Sequence, residues 1–135
     1  MEILTAPVSS IMTKDLITIG PEDPLTKVIS IFKRERIHHL PVIDEGKVVG
    51  IVSKSDVHYF KKGFCHSEGE DSLPDDCRVK NIMTTGLAKM EPDDRIEVAL
   101  EVFKENLFHA ILVTEDNRLR GIVTTFDIIK AVSES

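Results

Sequence analysis

The sequence predicts a mixed α/β protein: two pseudo-symmetric repeats with α+β mixed sheets, packed as one module. Three observations lead there. Matching residues recur at one fixed offset along most of the chain. Each copy carries the same order of elements, strand, helix, strand, strand, helix. The chain has 135 residues, of which 41% are hydrophobic, enough for a globular core and too apolar for a disordered chain.

The repeat comes first, because a missed repeat misreads a whole fold. Val8-Ser9-Ser10-Ile11-Met12-Thr13 recurs as Val79-Lys80-Asn81-Ile82-Met83-Thr84. Gly50-Ile51-Val52-Ser53 recurs as Gly121-Ile122-Val123-Thr124, again 71 positions later. Pro21/Pro92, Asp23/Asp94, Phe32/Phe103, His38/His109 and Asp56/Asp127 keep that register without a gap. The organisation is a first repeat over 1–60, a linker over 61–78 and a second repeat over 79–135. The Gly-, Ser-, Pro- and acid-rich part of that linker is expected to be mobile over Ser67–Asp76.

Within each copy the local chemistry names the elements. Leu16-Ile17-Thr18-Ile19 is short, apolar and β-branched, a strand. Pro21-Glu22-Asp23-Pro24 turns the chain, with Asp23 expected as N-cap and Pro24 at the first helical position. Leu25, Val28, Ile29 and Phe32 then line one helical face, matched by Ile96, Ala99, Leu100 and Phe103. His39–Ile43 and Val48–Val52 form a hairpin around Asp44-Glu45-Gly46-Lys47. Ile111–Val113 and Leu119–Val123 do the same around Glu115-Asp116-Asn117-Arg118. A second helix starts after Ser53, and its counterpart after Thr124. Such a half is too small to cover both faces of its own sheet, so paired halves with two related clefts are expected.

Composition excludes several functions. The net charge of −6 argues against nucleic-acid binding, which needs a dense basic surface. No apolar run approaches the roughly 18 residues of a membrane span. The first residues lack a signal peptide's pattern, so a cytoplasmic protein is expected. Cys65 and Cys77 are expected as free thiols there.

Ser53-x-x-Asp56 and Thr124-x-x-Asp127 support two readings. One is a capping box, in which hydroxyl and carboxylate satisfy the backbone N–H groups that open a helix. The other is a ligand site, where a helix N-terminus attracts phosphate and a carboxylate accepts from two ribose hydroxyls. No nucleophile triad, Walker loop or complete metal set appears, so no enzyme is expected. His38-His39 are adjacent on a strand and point to opposite faces. His58 and His66 read as surface or linker residues. Cys65, His66 and Cys77 fall short of a zinc site. Lys14, Lys54, Lys89 and Arg120 are candidate phosphate neighbours. Val98 and Val102 form a stripe that suits either a wider core contact or a dimer interface.

Arg36-Ile37-His38-His39-Leu40-Pro41-Val42-Ile43-Asp44, followed by Gly50-Ile51-Val52-Ser53-Lys54-Ser55-Asp56, resembles the CBS domain. Ile11-Met12-Thr13 and Leu16–Ile19 fit it too. The resemblance covers nearly the whole chain in two copies and is nearest to stand-alone pairs such as acetoin-utilisation-type regulators. It implies a regulatory module that binds an adenosine nucleotide (AMP, ADP or ATP) as ligand, with no cofactor. It also implies a homodimer, with an unidentified target protein as a further partner. By the same resemblance Asp56 and Asp127 hold ribose, and Ser53 and Thr124 meet phosphate or ribose. Ile17, Thr18, Ile19, Leu87, Ala88 and Lys89 line adenine, and His38 and His39 meet phosphate. The resemblance adds Pro41, Ser55, His109 and Phe126 to the candidate set. The second copy departs from the pattern: Ala110 stands for His39, Leu112 for Pro41 and Lys89 for Thr18. The two clefts are therefore expected to differ.

Overall fold

The computed structural model describes residues 2–62 and 77–135, with side chains from 60 to 62 left aside. The mobile stretch expected over Ser67–Asp76, with Cys65 and His66, lies outside the described residues. In chain order the main elements are α1 (Leu25–Arg34), β1 (His39–Asp44), β2 (Lys47–Ser53) and α2 (Lys54–Lys62). They are followed by β3 (Lys89–Met90), α3 (Ile96–Lys104), β4 (Ala110–Glu115), β5 (Arg118–Thr124) and α4 (Thr125–Ser133). Short 3₁₀ turns occupy Glu2–Thr5, Val8–Ser10 and Val79–Asn81. The mixed α/β character matches the expectation, and helix, strand, strand, helix recur in both copies, while the opening strand is present in the second copy alone.

Both hairpins form where their turn chemistry places them. β1 pairs antiparallel with β2, His39 opposite Ser53 and Val42 opposite Gly50. β4 pairs with β5 in the same way, Ala110 opposite Thr124 and Val113 opposite Gly121. Glu45 and Gly46 have φ of 51° and 80°, and Asp116 and Asn117 have 53° and 60°. Two consecutive positive φ values make the two-residue turn that suits strand twist, and Gly, Asn and Asp tolerate it best.

The first strand differs between copies for a reason visible in the backbone. Over Leu16–Ile19 the expected strand shrinks to one parallel bridge, Ile19 with Val42. Ile19 N–H donates to Pro41 O at 3.0 Å, and Ile43 N–H donates to Ile19 O at 2.8 Å. The next rung needs an N–H at position 41, and proline has none. In the second copy Leu112 occupies that position and donates to Ala88 O at 2.9 Å. There the segment is a true strand, β3, parallel to β4.

The start of α1 also departs from expectation. Pro24 is the extended N-cap residue with no side-chain cap, and the helix begins at Leu25. Asp23 folds back instead: its carboxylate accepts from Gly20 N–H at 2.8 Å and from Lys27 Nζ at 3.1 Å. The Gly20 N–H, opposed by partial burial and aided by Lys27, holds the Asp23 carboxyl below its usual value. A lowered carboxyl pKa stabilises the fold above the unfolded value of about 4, and that stability fades as pH falls through the lowered value. Asp23→Ala is expected to cost about 1 kcal/mol at pH 7 and much less at pH 3, as read by urea unfolding at both pH values. An equal loss at both would remove the charge from the explanation.

Two compact units result, and their boundaries cross the sequence repeats. One joins Met1–Leu16 to Leu87–Ser135; the other is Ile17–Gly86. In the first, Val8 N–H donates to Asp94 O at 2.6 Å and Ile96 N–H to Ala6 O at 3.0 Å. Thr13 and Ile122 exchange backbone hydrogen bonds of 2.9 and 3.0 Å. In the second unit Val79 N–H donates to Asp23 O at 2.9 Å and Leu25 N–H to Cys77 O at 3.2 Å. Thr84 and Ile51 repeat the reciprocal pair at 2.9 and 3.0 Å. Val8 and Val79 are fully buried, so the opening segment of each repeat is a core component of the unit built on the other.

Each unit has its own core. In one, Val28, Ile31 and Phe32 of α1 meet Leu40, Val42, Val52 and Val79. Ile31 takes the deep position and Ile29 the margin, where Ile29 packs beside Leu25 and Cys77. In the other, Ile96 and Ala99 of α3 meet Val8, Ile111, Val113, Val123 and Ile128, with Leu100, Val102 and Phe103 partly buried alongside. Val102 thus follows the core reading of its stripe, whereas Val98 is exposed. Cys77 is buried and disulfide-bonded, which corrects the expectation of a free thiol there; its bonding partner falls outside the described residues.

Candidate functional site

In the unit spanning Ile17–Gly86, β2 runs directly into α2 at the open end of the hairpin, opposite the turn. The junction satisfies itself. Ser53 N–H donates to Asp56 Oδ2 at 2.9 Å, and Asp56 N–H donates to Ser53 Oγ at 2.9 Å. Lys54 N–H is taken by His38 O at 2.8 Å, and His39 lies opposite Ser53. This end of the unit therefore gathers His38, His39, Ser53, Lys54, Ser55 and Asp56. Pro41, opposite Ile51, is buried two residues further along. The Ile19–Val42 bridge lays the 17–19 segment beside β1. Thr18 is exposed and Ile17 partly buried. Ile19 is in the core with both backbone groups engaged.

The second motif has the same frame with different occupancy. Thr124 N–H donates to Asp127 Oδ2 at 2.8 Å and Thr124 Oγ1 to the same oxygen at 3.1 Å. Asp127 N–H reaches Thr124 Oγ1 at 3.4 Å. The other carboxylate oxygen, Oδ1, accepts from Thr13 Oγ1 at 3.4 Å. Both oxygens of Asp127 are thus engaged by hydroxyls or backbone. At Asp56 the described residues place no hydrogen bond on Oδ1. The capping-box reading holds at both motifs, and Asp56 keeps the larger acceptor reserve: among the described residues its Oδ1 carries no hydrogen bond, whereas Asp127 Oδ1 carries one long one.

Neighbouring candidates separate along the same line. His109 O accepts from Thr125 N–H at 3.4 Å, as His38 O does from Lys54. Leu87 and Ala88 are partly buried. Lys89 Nζ donates to Asn117 Oδ1 at 2.6 Å, and Arg120 Nε donates to Glu115 at 2.9 Å. Both hold the turn of the β4–β5 hairpin, some 20 Å along β5 from Thr124 at ~3.3 Å per residue. Lys14 and Lys54 are exposed. Phe126 is 66% exposed on α4. Among the described residues no three His, Cys, Asp or Glu side chains are grouped to hold a metal. No helix there is long and apolar enough to cross a membrane.

Sequence reasoning missed Thr13 and the two methionines. A Cβ built on Gly50 would lie 2.7 Å from Met83 Sδ, and one on Gly121 2.7 Å from Met12 Sδ. The glycine of each motif lets an Ile-Met-Thr segment lie flat on the strand that delivers the Ser or Thr. The repeated Ile-Met-Thr triplets carried that signal, but nothing in them says which copy of the glycine they cover.

Comparison with known proteins follows this geometry. The family model described as CBS domain matches residues 8–62 and 79–134. Inosine-5'-monophosphate dehydrogenase of Methanocaldococcus jannaschii is 34% identical over 122 residues, covering 89% of this chain and 22% of that protein. The chain spans less than half the length of the first three curated relatives it matches, from 22% to 46%. The crystal structure of the CBS domain pair of protein MJ0100, in complex with 5'-methylthioadenosine and S-adenosyl-L-methionine, aligns with a TM-score of 0.80. It is 23% identical, covering 96% of this chain and 98% of that one. The crystal structure of CBSX2 in complex with AMP aligns with a TM-score of 0.77, also at 23% identity, over 96% of this chain and 97% of that one. At that identity the two structures share the fold with this protein.

Proposed function

The chain belongs to the CBS domain family, and on that premise we propose that it is a non-catalytic regulatory module whose ligand is an adenosine nucleotide of the AMP, ADP or ATP type. The reserve acceptor on Asp56 carries this reading. Its Oδ2 is fixed by Ser53 N–H at 2.9 Å, so the carboxylate is oriented before ligand arrives and Oδ1 is left to take ribose hydroxyls. Ser53 Oγ accepts one backbone N–H and keeps its own proton for a ribose or phosphate oxygen. His38 and His39 supply polar groups at the same end, beside the start of α2. Ile17 and Thr18 offer the surface for adenine. The adenosine ligands of MJ0100 and CBSX2 support the ligand class.

The motif in the other unit is the weaker partner in this reading. To use Asp127, a nucleotide must share Oδ1 with the Thr13 hydroxyl 3.4 Å away, which leaves that oxygen one lone pair where Asp56 Oδ1 offers two. This favours a second reading for that unit alone, an interaction or dimerisation surface with a vestigial ligand position. The module then acts in the cytoplasm as a homodimer on a separate target protein.

Thermal unfolding tests the ligand class. A nucleotide at a hundred times its dissociation constant adds ~2.7 kcal/mol of stability, a rise of about 10 °C for a domain of this size. AMP, ADP and ATP are each expected to be compared with S-adenosylmethionine and with GMP as the base control. A rise with GMP equal to that with AMP, or no rise with any of them, would defeat the adenosine reading.

A further inference from the structure

Cys77 opens the strip of chain that covers the core of the Ile17–Gly86 unit. It is 4% exposed and packs with Leu25, Ile29 and Ile82. Its carbonyl accepts from Leu25 N–H at 3.2 Å, where α1 begins. Val79 N–H then donates to Asp23 O, and the strip ends where Thr84 and Ile51 exchange hydrogen bonds. Ile51 lies on β2, the strand that delivers Ser53. Cys77 is also disulfide-bonded. The sequence holds two cysteines, so within one chain its partner is Cys65. Lys62 ends α2, the helix that carries Asp56, and Cys65 follows three positions on. The bond thus ties the exit of α2 to the strip that reaches β2.

The repeat supplies an internal control. The position 71 residues before Cys77 is Ala6. Ala6 O accepts from Ile96 N–H at 3.0 Å, where α3 begins, and Ala6 packs against the core of its own unit. The slot therefore asks for a small side chain and not for sulfur. The cysteine adds a bond that the same architecture does without in its other half.

We propose that the Cys65–Cys77 disulfide is a reversible redox modification site, opened by thiol reductants without unfolding the chain, and that its state sets how firmly the 77–84 strip is held. The proposal rests on the cytoplasmic reading above and not on the nucleotide. In a reducing compartment a permanent staple is rare, and a disulfide there is ordinarily a redox-sensing one. Opening it is ordinary thiol exchange. A thiolate of the reductant attacks one sulfur, and a second thiol releases the mixed disulfide. Two electrons and two protons pass: the reductant leaves as its disulfide, Cys65 and Cys77 as thiols. A buried free thiol behaves as a small apolar side chain, so reduced Cys77 still fills its slot beside Leu25. What is lost is the restraint on the 65–77 loop in the opened chain, so the reduced unit opens more often.

Thermal unfolding and thiol alkylation of the full chain, held at fixed ratios of reduced to oxidised glutathione, are the test. The oxidised chain is expected to melt about 10 °C above the reduced one. Alkylation read by mass is expected to show two thiols appearing together as the ratio rises, with unchanged far-UV circular dichroism below the melt. Cys65→Ser and, independently, Cys77→Ala are expected to melt with the reduced wild type and to ignore glutathione. A bond that stays closed at every ratio while the chain is folded would be a permanent staple and would overturn the proposal. So would reduced and oxidised chains that melt together, or a bond found between two chains on a non-reducing gel. The AMP response is measured on each form separately. Its absence from both would defeat the nucleotide reading and leave the redox site standing.

Discussion

Asp56→Ala is expected to weaken AMP binding about 100-fold, the equivalent of ~2.7 kcal/mol for two charge-assisted hydrogen bonds to ribose hydroxyls. The matching Asp127→Ala is expected to change affinity less than 3-fold. Both substitutions remove a capping carboxylate and are expected to cost a similar ~1 kcal/mol of stability. The difference between them therefore isolates the ligand contribution from the structural one. Its basis is the occupancy of the second oxygen: Asp127 Oδ1 already accepts from Thr13 at 3.4 Å, and Asp56 Oδ1 accepts nothing among the described residues. Isothermal titration of the two variants, each checked for folding, measures the gap. Equal losses would mean that the two motifs contribute alike, and a larger loss at Asp127 would reverse the assignment.

Gly121→Ala is expected to destabilise the protein by about 2–3 kcal/mol, well above the cost of Gly50→Ala. The added Cβ at Gly121 would sit 2.7 Å from Met12 Sδ, 2.8 Å from Met12 Cγ and 2.9 Å from Thr13 O. The methionine can swing aside, but Thr13 O is held by Ile122 N–H at 3.0 Å. Relief there means breaking the reciprocal pair that ties the opening segment to β5. At Gly50 the three nearest atoms all belong to the Met83 side chain, the closest at 2.7 Å. That cost is expected near 1 kcal/mol, and Met83→Ala should recover part of it. Met12→Ala should recover little for Gly121→Ala. Gly86→Ala is the control: nothing lies within 4 Å of its added Cβ, so a change of only a few tenths of a kcal/mol is expected. Urea midpoints for this set decide the matter, and equal losses at Gly50 and Gly121 would remove the backbone oxygen from the account.

Much of this fold was legible because its signals are local. Asp116-Asn117 and Glu45-Gly46 announce their turns by the φ values they tolerate, and the apolar spacing of α1 and α3 shows which side is buried. The lost strand at Leu16–Ile19 was also written in the sequence, as a proline at 41 where the other copy has Leu112. Reading it requires knowing that those two segments pair, which is a long-range fact. The Asp23 carboxylate was recognised as a helix-start group but assigned the wrong donor. Gly20 N–H, three residues back, competes for the same oxygen and wins. Least legible was the partner of each opening segment. Val8 and Val79 are the same residue in the same local context, so periodicity alone cannot say which of the two cores either one enters. The difference between Asp56 and Asp127 follows from that same choice, since Thr13 reaches Asp127 only because its segment belongs to that unit.

The crossing of boundaries has a consequence during synthesis. Residues 17–86 are contiguous, so that body can close while the rest of the chain is still on the ribosome. Residues 1–16 emerge first but find their backbone partners only once Asp94, Ile96 and Ile122 have been made. Until then Val8 and its neighbours stay uncovered, exposed to chaperones or to a neighbouring nascent chain. For the same reason, cutting the gene midway between the repeats would yield two fragments that each carry a strip of the other's interior, and which should recover their shape only when produced together.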